Sequence, residues 1–432
     1  MAEPEARAVA IRGGTVVDQH GSRRADVVVA GGVVVAVGEG LEAPAGSAQL
    51  DASGCVVAPG LVDIHTHLRE PGREEAETIE TGARAGALGG YTALVAMPNT
   101  EPAIDSAAVV AQVLGIGRRA CVEVAVAGAI TLGREGTRLA PMAEMAALGV
   151  RLFTDDGRGV QDARLMRRAL EYAGGIGVTL AEHCEDEALA AGGHMHEGAW
   201  SSRLGIPGQP AEAEELMVAR DIALCRLTGA RLHLLHLSTA RSIELLRAAR
   251  AAGVPVTAEV APHHFTLTDA AVAGFDAVFK VNPPLRGPAD VAALRSALAD
   301  GTLDAIATDH APHPAEAKDL PFDEAPPGML GLETALPLAL GELDLGIEAV
   351  LALLSWQPAR IAGLRATQGG PVEAGRPANL CVIDPAQRWR VEPGALASRS
   401  RNTPYAGREL VGRVRHTVAA GETVVVDGEA TR

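Results

Sequence analysis

Lysine is nearly absent from this 432-residue chain: Lys280 and Lys318 are the only two, so 36 of the 38 basic residues are arginines. Basic charge is short overall, because 54 acidic residues leave a formal net charge of −16. That balance argues against nucleic acid or an anionic membrane as the main partner. Cysteine is scarce as well. Cys55, Cys121, Cys184, Cys225 and Cys381 form an odd set with no CxxC pair, which suggests reduced thiols in a cytoplasmic protein. Long apolar runs are missing too: VVVAGGVVVAVG at 27–38 is well short of the roughly 20 residues that span a bilayer. It reads instead as a hairpin turned at Gly31-Gly32. The start, MAEPEARAVAIRGG, is acidic and has no apolar core segment, so no secretory signal is read.

The chain is 47% hydrophobic with only 3% aromatic residues, and its length suits a large α/β barrel plus a smaller module. Residues 1–60 are short Val-rich runs broken by glycine, and the same hairpin pattern returns from about residue 366. The middle, 61–365, alternates apolar runs with amphipathic segments. Eight candidate strands are LVDIHTH (61–67), YTALVAMP (91–98), VEVAVAGAI (122–130), VRLFTDD (150–156), VTLAEHCE (178–185), LHLLHLS (232–238), VTAEVAP (256–262) and DAIATDHAP (304–312). Helical patterns lie between them, as in DARLMRRALEYA (162–173) and RSIELLRAARAAG (241–253). Eight such units predict a (β/α)8 TIM barrel, with both chain termini folding into a small β-sandwich. An open doubly wound sheet would carry a Gly-rich phosphate turn after its first strand, where this chain has histidines. The longest irregular stretch, Pro314 to Gly331, follows the eighth strand and would overhang the strand C-termini.

Chemistry-bearing side chains gather at the ends of these strands. His65 and His67, spaced i, i+2, share one face of an extended segment and can bind one metal. Alone, an HxH pair is weak evidence; His194 and His196 make a second one, which follows glycines and reads as a loop. The first pair has company. Asp155 and Asp156 close the fourth run, His183 the fifth, His236 the sixth and Asp309 the eighth. Imidazole and carboxylate are the ligands that zinc and similar divalent ions prefer.

LVDIHTHLREPG, followed by AMPNT (96–100), TDDG (154–157), AEHCED (181–186), LHLSTA (235–240), VAPHHF (260–265), KVNPPLR (280–286), ATDHAPH (307–313) and the late NTPYAGREL, resembles the bacterial dihydroorotases of the amidohydrolase superfamily. The resemblance implies two zinc ions. His65 and His67 would hold one with Asp309, and His183 and His236 the other. Many relatives bridge the two with a carbamylated lysine on the fourth strand, where this chain has none. One dihydroorotase subgroup has aspartate instead, which aligns with Asp156; Asp155 is then a supporting or turn residue. Asp309 would be the catalytic acid and base.

The substrate pair implied is dihydroorotate and N-carbamoyl-L-aspartate. Arg69, read as lying beyond His67 on the same strand face, would bind the substrate carboxylate with Asn99 and His313. On sequence alone, a surface salt bridge of Arg69 to Glu70 or Glu74 would be favoured. Asn282 and the backbone of Pro327 and Gly328 would contact the ring. Cys184 is expected to be a small buried residue, and His263, His264 and His310 need no catalytic role. Alternatives are a hydantoinase- or allantoinase-like enzyme, or a non-catalytic homologue serving aspartate transcarbamoylase. A homodimer and an association with that transcarbamoylase both stay open.

Overall fold

A computed structural model describes residues 8–431; residues 1–7, which hold the acidic start read for a secretory signal, and residue 432 lie outside the described residues. In the middle of the chain, eight parallel strands alternate with helices. The first three (Leu61–Thr66, Tyr91–Ala96, Glu123–Val126) pair in one sheet, ordered as in the sequence. The other five (Leu152–Phe153, Thr179–Glu182, Arg231–Leu234, Val256–Val260, Ala305–Ile306) pair in a second sheet, also in sequence order. Parallel bridges Gly128↔Phe153 and Thr66↔His310 link the sheets at both edges.

Buried Val, Leu and Ile on the outer faces of these strands pack beneath the helices, while Val62, Ile64, Ala93, Val95, Leu152, Ala181 and Ala305 make a separate inner cluster. The helices start and stop where local chemistry dictates. Asp162 caps Ala163–Ile176 by accepting the Arg164 and Leu165 N–H groups, and Gly177 ends it in the left-handed region at φ 72°. No helix among the described residues is long and apolar enough to cross a membrane.

Every predicted strand has a counterpart, but the ladders stop earlier than the apolar runs do. His67 lies just past the first strand, and its N–H donates to the His310 carbonyl at 2.8 Å. Asp155 and Asp156 follow a strand of only two residues, just past the Thr154 N–H that donates to the Gly128 carbonyl at 2.8 Å and completes the Gly128↔Phe153 bridge. His236 and Asp309 take positive φ values of 30° and 48°, which no regular ladder accommodates. Apart from His65, which lies within the first strand, the candidate ligands therefore sit on the turns that leave the sheet.

Both ends of the chain enter a seven-stranded sheet. Val56–Pro59 pairs antiparallel with Leu380–Arg390, which pairs with Glu409–Ala419. A four-stranded sheet holds the hairpin of Asp26–Ala30 and Val33–Gly38, with Gly31 and Gly32 both at positive φ as a tight two-residue turn needs. Val9, Ile11, Val27 and Val57 from the N-terminal segment share one core with Val372, Leu380, Val382 and Val418. The NTPYAGREL segment behaves differently. Between the two long strands the chain leaves the β layers, and Asn402 bonds to Ala311 and Gly328 at the strand C-terminal side.

Ile11 is fully buried in the shared core. Replacing it with alanine should cost about 2–5 kcal/mol in urea unfolding, as large-to-small core changes do; a loss below about 1 kcal/mol would contradict a core built jointly by both chain ends.

Candidate metal centre

Asp156 is the residue on which four histidines converge. Its Oδ1 lies 3.3 Å from His65 Nε2, 3.7 Å from His183 Nδ1 and 3.5 Å from His236 Nε2, and its Oδ2 lies 3.5 Å from His67 Nε2. Asp309 Oδ1 joins the His65 and His67 side, 3.5 Å and 3.0 Å from their Nε2 atoms. Two ligand groups result, His65–His67–Asp156 and Asp156–His183–His236, all buried and sharing one carboxylate. His183 Nδ1 and His236 Nε2 are 2.9 Å apart, two nitrogen lone-pair sites aimed at one point.

Asp155 faces the other way. Its carboxylate accepts the N–H groups of Ile130 at 2.9 Å and Thr131 at 3.0 Å, and the Thr131 hydroxyl. Burial raises its carboxyl above the usual range. It holds the turn after the third strand against the turn after the fourth, which leaves Asp156 directed at the histidines. Glu182 steadies the same turn by accepting the Val160 N–H at 2.7 Å.

The electrostatics suit a cation. Burial opposes charge on His65, yet Asp156 and Glu259 push it well above the usual imidazole value. Burial also opposes charge on His183, and Asp156 and Glu185 push it up to about 10. Asp156, which burial alone would raise, is held well below the carboxylate range by His65, His183 and His236. His67 goes the other way from His65 and His183, lowered by burial and by the nearby Arg69 charge, but the buried carboxylates around His65 and His183 favour a cation there. His65 Nε2 is buried without a hydrogen-bond partner, although it faces two carboxylates. The residues fit divalent metal.

A supporting shell orients the ligands. Glu259 Oε1 accepts from His65 Nδ1 at 2.7 Å, and Glu259 Oε2 pairs with His233 Nε2 at 3.0 Å. His233 Nδ1 in turn lies 2.8 Å from the Thr257 hydroxyl. A carboxylate behind a ligating histidine fixes its tautomer and raises its basicity. Asp63 accepts the N–H groups of His65 and Thr308, both at 3.1 Å, and so ties the first strand to the turn that carries Asp309. Glu214 accepts the N–H groups of Ser238 and Thr239 just beyond His236. None of Glu259, His233, Asp63 or Glu214 was singled out from sequence. Glu259 did leave a signal, a carboxylate inside an otherwise apolar strand.

Arg69 is 6% exposed, at φ 62°, and lies beyond the strand rather than on its face. It has no salt bridge to Glu70 or Glu74, which accept the N–H groups of Ile79 and Gly72 instead. Its Nε donates to the Pro312 carbonyl at 3.2 Å, and its Nη2 is 3.4 Å from His313 Nε2. That nitrogen of His313 donates to the Pro327 carbonyl at 2.9 Å, so it cannot also accept from Arg69. Burial and the nearby Arg73 charge lower Arg69 to about 10. Asn99 Oδ1 accepts from His67 Nδ1 at 2.9 Å, which makes this residue a support for a ligand as well as a neighbour of the mouth. Asn282 Nδ2 is 3.4 Å from His183 Nε2, and its Oδ1 is buried without a partner.

The backbone at Pro327-Gly328 is taken up internally. The Gly328 N–H donates to the Lys280 carbonyl, and its carbonyl accepts from Asn402. Gly328 itself is required: at φ 145°, a Cβ would come within 2.8 Å of His313 Nε2. Both lysines clamp this loop. Lys318 Nζ donates to the carbonyls of Ala277, Lys280 and Pro326, and Lys280 Nζ to that of Asp323. The pair read as a loop in fact enters a two-residue strand, Met195–His196, with His194 just before it, and His194 and His196 lie beside Lys280 and Arg286. Cys184 is a buried thiol; His310 and His264 bond to Glu77 and to the Pro283 carbonyl.

Asp156→Ala should lower bound metal by at least one ion per chain, read by atomic emission after dialysis. Asp155→Ala should keep the metal and lose about 1–3 kcal/mol of stability, since it strands two buried N–H groups. Equal metal loss in both variants would defeat this division. Glu259→Gln should weaken metal affinity by about 10–100-fold, as loss of such a partner does.

The family model described as "Dihydro-orotase-like" matches residues 54–242. A dihydroorotase of Pelotomaculum thermopropionicum is 50% identical over 96% of this chain and 98% of its own length. One from Streptomyces coelicolor is 50% identical over 98% of this chain and 99% of its own. Among solved structures, L-hydantoinase (dihydropyrimidinase) from Arthrobacter aurescens superposes with a TM-score of 0.87 at 25% identity, covering 98% of this chain and 97% of that one. With the shared carboxylate and its four histidines already in place, these likenesses show that the chain belongs to the dihydroorotase family.

Proposed function

We propose that the chain is a zinc-dependent cyclic amidohydrolase that interconverts (S)-dihydroorotate and N-carbamoyl-L-aspartate, a step of de novo pyrimidine biosynthesis. The observation that carries this reading is Arg69. A buried guanidinium with no carboxylate partner among the described residues is costly unless a ligand supplies the anion. The ring carboxylate of dihydroorotate is such an anion, and a planar fork binds it through two parallel hydrogen bonds.

Two Zn2+ ions are assigned, one to His65, His67 and Asp309 and one to His183 and His236, with Asp156 between them. When bound, they supply Lewis acidity at the ring carbonyl and bring the pKa of water down to about 7. Arg69 fixes the substrate by its carboxylate, with Asn99 and His313 beside it. Asn282, whose Oδ1 has no partner within the protein, is placed to receive a ring N–H. Asp309 takes a proton from the attacking water and delivers it to the ring nitrogen as the C–N bond breaks. In the reverse direction it removes that proton and returns it to the departing water.

The same proposal includes the architecture that places these groups. The parallel bridges at both sheet edges support closure into a (β/α)8 barrel over 61–365, with the metal ligands at the strand C-termini where such barrels keep their active sites. The core shared by the chain ends supports a composite β-sandwich from 1–60 and 366–432. Buried thiols at Cys55, Cys184, Cys225 and Cys381 support a reducing, cytoplasmic setting.

The solved hydantoinases favour a second reading, hydrolysis of uncharged cyclic ureides. Arg69 speaks against it, as does the absence of lysine from the turn that carries Asp156. Zinc-loaded protein should turn over dihydroorotate and leave hydantoin and allantoin nearly untouched in an ultraviolet assay. Turnover of hydantoin without dihydroorotate would reject the proposal. Arg69→Met should keep its zinc and raise KM for dihydroorotate at least about tenfold, since a charge-assisted bidentate pair is lost.

A further inference from the structure

The strand N-termini, opposite the metal centre, enclose a second feature. A cavity of about 590 Å³ is lined by one residue from the start of each strand in the five-stranded sheet: Arg151, Thr179, Arg231, Val256 and Asp304. Arg250 and Arg360 complete its rim. Four arginines thus line one space, three of them exposed and Arg250 half-buried, in a chain whose net charge is −16.

Only one carboxylate answers them. Asp304 pairs with Arg250 and, at 3.6 Å, with Arg360, and it also accepts the Ala258 N–H. Arg151 and Arg231 have no carboxylate within ion-pair distance among the described residues. Each reaches only backbone carbonyls: Arg151 those of Ala146 and Val150, and Arg231 that of Gly177. Neighbouring strands hold the two close. Thr179 is the register partner of both Leu152 and Arg231, and the flank of Arg151 lies against Gly363. A local excess of about three positive charges attracts anions to this face.

Apolar groups line the cavity as well, among them Leu232, Val254 and Ile361. Thr257 lines it and begins the row of hydrogen bonds through His233 and Glu259 to His65. The N-terminal face of parallel barrel strands ordinarily serves stability. Here it is open, concave and cationic. The volume falls in the range of small-molecule sites, about 300–1,000 Å³, and exceeds what one phosphate would fill. Separate arginine forks at several points of one rim suit an anion with several oxygen-bearing groups in line.

We propose that this arginine-rimmed cavity is a binding site for a small polyphosphate anion, an inorganic oligophosphate or the phosphate chain of a nucleotide. The site is independent of the proposed reaction, so failure of one leaves the other standing.

Isothermal titration of the zinc-loaded, full-length protein with pyrophosphate, tripolyphosphate and adenosine triphosphate tests it. Saturable one-site binding is expected, tighter for tripolyphosphate than for pyrophosphate and weakened by added salt. Tighter binding of the nucleotide than of tripolyphosphate would identify a nucleotide as the natural source; equal binding would identify the phosphate chain itself. The double variant Arg151→Gln/Arg231→Gln removes both charges while leaving shorter polar side chains, and should retain circular dichroism and basal turnover while losing at least about tenfold in affinity. Should that variant misfold, Arg360→Gln alone should weaken the same binding. Absence of saturable binding to all three anions, or equal affinity in wild type and folded variants, would overturn the proposal.

Discussion

One carboxylate organises this molecule's chemistry. Asp156 stands among four buried imidazoles and is the one carboxylate within reach of all of them, while Asp309 and Glu259 face only the His65 and His67 side. Every other feature of the centre can be understood as keeping that convergence in place. Glu259 stands behind His65 and Asn99 behind His67, while Asp155 anchors the turn from which Asp156 projects. Removing any one of these leaves the ligand present but free to swing. Polar clusters of this kind lose more than a single contact when one member goes, because the remaining groups stay buried and unsatisfied.

The backbone bears part of the cost. Arg69, His236 and Asp309 adopt positive φ without being glycine, a conformation that costs of order 1–3 kcal/mol apiece in sparsely populated regions. Such strain persists because the sheet beneath is rigid and the turns are over-determined by buried acceptors: Asp63, Glu182 and Glu214 each take backbone N–H groups from them. The apolar strands provide a stiff base, and the turns hold the functional geometry against their own preference.

Much of this was legible in the sequence. The near-continuous apolar runs marked all eight parallel strands, and the ligand types at their ends marked the metal cluster. Strand alternation placed His65 and His67 together, as the structure has them, but it cannot by itself explain the direction of His67, Asp156, His183, His236 and Asp309, which lie past the ladders where turn hydrogen bonds act. Arg69 shows the same limit. Acidic neighbours in sequence suggested a surface ion pair, whereas the turn buries it beside His313. Glu259 could have been noticed as a charge within VTAEV. Asn402 could not, since nothing local tells that a residue 89 positions after His313 will accept its N–H.

The reach of Asn402 has a consequence for how the protein comes into being. Its amide fastens the turn of Ala311 and Gly328 from a segment between the two long strands of the seven-stranded sheet. During synthesis, the metal ligands are all made well before that segment leaves the ribosome. The turn of Ala311 and Gly328 thus receives this fastening only after the last of the candidate ligands, Asp309, has been made.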